Sequence, residues 1–278
     1  MGAFLGLAAA LAYGVSDFVA GVASRRHHFL WVSLLGMVAS VVGSGTAALV
    51  EGRRAPATEA LLWGALSGVG SAVGTLALFR GYGRGEMAVA GPLSAVGAAA
   101  FPAIVGAALL GERLPPVGLA GVLLAFPAIW LMSRPPREEA GSARAGAVDG
   151  VISGAGFGLL FVALGRAGDG SGLWPVFAGA VVGLVLLAGA TLVRRPRWTA
   201  DTRWVVIIAA AGLLSITANV LYFFASHYSL LTVAAVLTSL YPGVTVAMGA
   251  VFLHEKPDSL QKSGLALGAL AVVAIVVG

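Results

Sequence analysis

The chain has 278 residues, of which 59% are hydrophobic and 10% charged, with a mean hydropathy of +0.95. So little polar surface excludes a soluble globular fold, and most of the exterior has to meet lipid or neighbouring helices. There is no cysteine, which removes disulfides and thiol nucleophiles, and the net charge of +5 reads as arginine anchoring of loops against anionic lipid rather than as a nucleic-acid surface.

Apolar runs follow one another at residues 2–23, 29–50, 60–79, 87–110, 116–132, 148–164, 173–193, 204–225, 230–253 and 260–278. Each has roughly the 17 to 25 residues that cross a bilayer, and backbone groups in hydrocarbon have to pair within their own segment, so ten transmembrane helices are expected. The first run lacks a basic leader and is long for a signal peptide, so it is read as a retained span.

The same plan is written twice. Setting Glu112 on Glu255 and Gly121 on Gly264 gives an offset of 143, and setting Gly68 on Gly212, Ser71 on Ser215 and Phe79 on Phe223 gives 144. The reading is an all-α integral membrane protein of two five-helix repeats, 1–133 and 148–278, joined by the charged linker 134–147. Five is odd, so the second repeat enters the membrane from the opposite side, and inverted repeats place a binding site near the midplane between the halves. Loops after spans 1, 3, 5, 7 and 9 hold 13 arginines and lysines and the other side four, which puts the arginine-rich side in the cytoplasm and both termini outside.

The doubled pattern in LLGERLPPVGLAGVLL (residues 109–124) and FLHEKPDSLQKSGLALG (residues 252–268), with YGVSDF in the first span, resembles the EamA family of the drug/metabolite transporter superfamily. The resemblance implies a secondary transporter, commonly an exporter of amino acids or other small metabolites, working by alternating access. It also implies termini in the cytoplasm, against the arginine count. In the first span Tyr13 and Asp17 stand where the family usually has tryptophan and asparagine.

Polar residues within the spans form stripes. Tyr13, Asp17 and Ser24 share one helical face, as do Ser71, Thr75 and Tyr82 on span 3, Ser215, Asn219, Tyr222 and Ser226 on span 8, and Thr238, Tyr241 and Thr245 on span 9. The stripes suit a wet cavity for small molecules with a polar and an apolar end, lined by Tyr13, Asp17, Thr75, Tyr82, Asn219, Tyr222, Thr238 and Tyr241. The competing reading is that these hydroxyls and amides join helix to helix or bond back to their own carbonyls.

Asp17 is the sharpest residue. A carboxylate inside a span costs about 2.5–3.5 kcal/mol, so it belongs on a cavity or beside a partner, as proton carrier or as counter-charge for a cationic substrate group; pairing with Arg25 or Arg26 is the alternative. Its repeat counterpart is Phe161, so a proton site would be single. Glu112 and Glu255 read as ionised anchors, to helix ends across the repeat. Pro102 and Pro242 should kink spans 4 and 9 and serve as bends or gates.

The four histidines lack metal-ligand spacing and no nucleophile cluster or P-loop is present, so enzyme, metal and cofactor readings are set aside and energy has to come from a gradient. Rings of like charge that would make a channel are not seen. The expected partners are a small-molecule substrate, lipid and protons, with a lipid or lipid-linked-sugar flippase as the second reading.

Overall fold

The computed structural model describes residues 1–24, 26–52, 56–83, 87–133, 143–168, 170–197, 201–254 and 257–278; the side chains of 82, 83, 87, 88 and 143–145 also lie outside the description. Its elements are α-helices throughout, from α1 (Gly2–Ser24), α2 (Phe29–Glu51), α3 (Thr58–Gly83), α4 (Met87–Ala108) and α5 (Pro116–Ser133) to α6 (Ala143–Arg166), α7 (Trp174–Arg194), α8 (Thr202–Tyr228), α9 (Leu231–Thr238), α10 (Tyr241–Phe252) and α11 (Ser259–Val277). Ten spans long and apolar enough to cross a membrane result, α9 and α10 making one between them. The chain is a multi-pass integral membrane protein, and large apolar side chains such as Leu192 and Val193, 73% and 82% exposed, form its lipid surface. The linker expected at 134–147 is shorter at its far end, because α6 begins at Ala143.

Local chemistry sets several of the helix starts. Asp201 accepts the Trp204 N–H at 3.0 Å, and in the DSLQ segment Asp258 and Gln261 cap each other's backbone reciprocally, at 2.7 and 3.1 Å. The helices then close a ring in which α1 packs on α8, α8 on α2, α2 on α7, α7 on α3, α3 on α6, α6 on α4, and α4 and α1 on the span made by α9 and α10. Outside this ring α5 and α11 pack together.

Contacts in the ring are made by small residues, since lipid supplies no hydrophobic drive between helices. Gly154 of α6 meets Gly97 of α4 so closely that a methyl group there would lie 2.8 Å from the Gly97 Cα. The same holds for Gly70 and Gly74 against α6, Gly179 against α3 and Gly264 against α5.

Candidate functional site

The two ends of the ring differ. At the end that carries Met1, the halves are tied by carboxylates that accept backbone N–H groups at helix starts. Glu112, from the loop after α4, takes the N–H of Leu231 at 2.6 Å and of Thr232 at 3.0 Å, capping α9. Glu51, the last residue of α2, takes the N–H of Leu173 at 2.8 Å ahead of α7. A carboxylate on the positive end of a helix is favourable on charge as well as hydrogen bonding. The anchoring to a helix end across the repeat expected of Glu112 is what the structure has; its counterpart Glu255 lies outside the described residues.

Helix α1 runs from this end toward the other. Gly2 abuts Ser229, Gly6 abuts Leu237, and Gly14 abuts Val244 and the Tyr241 carbonyl. Ser16 then donates to the Ala211 carbonyl of α8 at 2.8 Å. Asp17 falls between the α8-facing and α10-facing sides of α1, on the inward side, and is exposed. One turn further, Gly21 is open too: a Cβ there would meet nothing within 4 Å. The α1 face that is filled at Gly14 is thus unfilled at Asp17 and Gly21, beside the contact of Phe18 with Phe252 at the end of α10 (ring centroids 6.2 Å apart), and this open stretch away from Met1 is the candidate vestibule.

The floor of this vestibule is aromatic. Tyr13, one turn below Asp17, donates its hydroxyl to Asn219 Oδ1 of α8 at 2.5 Å. Its ring lies 6.2 Å from Tyr241 of α10 and edge-on to Phe161 of α6 at 6.3 Å. Phe161 in turn packs on Tyr222 with centroids 4.4 Å apart, and the Tyr222 hydroxyl donates to the Phe161 carbonyl at 2.9 Å. Phe161 thus stands where α1, α6 and α8 meet.

Of the residues marked in the sequence, Tyr13, Asn219, Tyr222 and Tyr241 come together on this floor, with Asp17 above it. Tyr222 is fully buried and its hydroxyl is spent on the backbone. Thr238 is likewise buried, its hydroxyl on the Gly6 carbonyl at 3.4 Å; Thr245 bonds the Gly14 carbonyl at 3.2 Å and Ser226 the Phe223 carbonyl at 2.8 Å. Thr238 and Thr245 thus join helix to helix, and Ser226 bonds back to a carbonyl of its own helix. Thr75 is half-buried on α3, away from this set of contacts, and the side chain of Tyr82 lies outside the described residues.

Arg25 also lies outside them, and the Arg26 guanidinium is seated over the Trp204 ring, 5.4 Å from its centroid, rather than on Asp17. Among the described residues no hydrogen bond or ion pair engages the Asp17 carboxylate.

Pro102 sits inside a continuous α4, whereas the span holding Pro242 is broken outright, with α9 ending at Thr238 and α10 starting at Tyr241. The kink expected in span 9 is therefore an interruption. Three residues that the sequence reading passed over matter here: Glu51, Phe161 as a floor residue, and Asp149, 1% exposed, whose Oδ1 accepts Arg80 Nε at 2.9 Å and Nη2 at 2.5 Å across α3 and α6. Asp149 could have been found as a carboxylate beginning an apolar run, but no spacing rule joins it to Arg80, 69 positions away in the chain.

The model of the EamA-like transporter family matches this chain twice, over residues 1–134 and 144–277. No curated protein is similar enough in sequence to count as a match. A solved structure entitled "Crystal structure of protein" is similar in fold with a TM-score of 0.79 at 17% identity, covering 99% of this chain and 96% of that one.

Proposed function

Since the chain belongs to the EamA-like transporter family, we propose that it is a secondary active transporter of the cell membrane that exports small metabolites, such as amino acids, by alternating access. The observation that carries this reading is the asymmetry of the ring: cross-half caps tie the Met1 end, while Asp17 is exposed and Gly21 has nothing within 4 Å of its Cβ position at the other. One end shut and one open is what a carrier needs in each of its two states. Two family matches of five spans each, with α1 packed on α8 and α3 on α6, support inverted repeats exchanging those states.

In this reading the vestibule is the substrate site, Tyr13, Asn219 and Tyr241 line it, and Asp17 couples export to protons. The described arginines gather at the open end, at Arg80, Arg194, Arg195, Arg197 and Arg203, so that end faces the cytoplasm and receives substrate there. A comparison of metabolites released by cells with and without the protein names the substrate, and Tyr13→Phe and Asn219→Ala should then abolish its export at unchanged expression. Asp17→Asn should abolish accumulation driven by a pH gradient in proteoliposomes; gradient-driven transport unchanged in that variant removes Asp17 from coupling.

A flippase is favoured by one feature, an open apolar groove of about 480 Å³ between α1 and α10, lined by Leu11, Val244, Met248 and Phe252 among others. Proteoliposomes loaded with amino acids, set against proteoliposomes carrying labelled lipid head groups, separate the two activities.

A further inference from the structure

Resting on the reading of the vestibule as the substrate site, we infer that its substrate carries a cationic nitrogen next to an aromatic or other apolar body, with Asp17 as the counter-charge. Asp17 is an exposed carboxylate on the inward face of α1, about 10 Å of helix from the end at Ser24. The nearby described cations are engaged elsewhere, Arg26 on Trp204 and Arg80 on Asp149. An ionised carboxylate at this depth is costly, and a cation arriving beside it recovers Coulomb energy that water at a membrane surface would have screened.

The surroundings select further. Directly below the carboxylate lie the rings of Tyr13, Tyr241 and Phe161, whose faces attract an ammonium and whose area accepts an apolar body. Asn219 Oδ1 accepts the Tyr13 hydroxyl, which holds that ring in place and leaves Asp17 as the charged acceptor beside it. An anionic substrate would meet Asp17 with no described cation to offset it. One turn above the carboxylate Gly21 adds no side chain, and a Cβ there would meet nothing within 4 Å.

The test is equilibrium binding to the purified protein of three probes on one skeleton: phenethylammonium, neutral phenethyl alcohol and anionic phenylacetate. Wild type should bind the ammonium at least about tenfold more tightly than the alcohol, and phenylacetate weakest of all. Asp17→Asn should erase the preference for the ammonium with an unchanged melting temperature, and Asp17→Glu should retain it. Equal binding of ammonium and alcohol by the wild type, no ammonium binding at all, or ammonium binding unaltered in Asp17→Asn each overturns the inference. If Asp17→Asn does not fold, the contrast between ammonium and alcohol on the wild type, with Asp17→Glu, still decides it. Failure here with export still lost in Tyr13→Phe and Asn219→Ala would leave the transporter standing and remove only the cationic substrate.

Discussion

Two glycines on nearly the same face of α1 divide the molecule. Gly14 is pressed against Val244 of α10, and Gly21, two turns on, faces nothing within 4 Å. The residue type is identical and the helix unbroken, so the difference lies in the partner: α10 lies against α1 at Gly14, its last residue, Phe252, still reaches Phe18 with ring centroids 6.2 Å apart, and no atom lies within 4 Å of a Cβ at Gly21. The glycines that close one end and the glycine that leaves the other clear therefore have opposite mutational sensitivities.

The largest expected effect is at the crossing. Gly14→Leu has to force α10 off α1 and should prevent recovery of a monodisperse protein, whereas Gly21→Leu should fold with a melting temperature near wild type and lose transport by filling the mouth. Equal stability of the two variants would show that α1 and α10 do not cross as described. Next comes the capped end. Glu112→Ala leaves the first-turn N–H groups of Leu231 and Thr232 without their acceptor and should cost about 2–3 kcal/mol in reversible unfolding; it should also let an impermeant thiol reagent reach a cysteine placed at Ser229 faster than in the parent. Unchanged labelling would mean that the cap stabilises the fold without holding that end shut.

A smaller contrast separates the two tyrosines of the floor. Tyr222→Phe removes a buried hydroxyl from the Phe161 carbonyl and should lower stability by about 1 kcal/mol, while Tyr13→Phe, on the vestibule side, should change transport more than melting. The last prediction moves no energy at all. Single cysteines at Arg194 or Arg197 should resist an impermeant reagent in intact cells while one at Gly170 labels, and the reverse pattern would place the open end outside.

The spans were legible because bilayer thickness writes itself into run length, and the repeat was legible because Glu112 and Glu255 stand in matching stretches of sequence. The polar stripes pointed to α1, α8 and the span of α9 and α10, whose side chains the structure brings together at Tyr13, Asn219 and Tyr241. Periodicity reports only which way a side chain leaves its helix, however, and the distance to the neighbouring helix decides the rest. Thr238 and Thr245 share a rhythm with Tyr241, yet their hydroxyls end on carbonyls of α1 because that helix is glycine-lined at Gly6 and Gly14 and comes within reach. Glu51 and Asp149 went unnoticed because each acts on a backbone or side chain far along the chain, at positions that only the ring of helices brings near.

The interruption of the ninth span has a mechanical meaning. Pro242 has no N–H for the Thr238 carbonyl, and the Gly243 N–H has turned to Leu240, so no continuous backbone ladder crosses Ser239 and Leu240. The eight residues of α9, about 12 Å of rod, are clamped at their start by Glu112, whereas α10 lies beyond the joint and packs on α1, α5 and α11. The pair is a lever with one fixed arm. Bending at this joint has fewer helical hydrogen bonds to break than bending within α9 or α10.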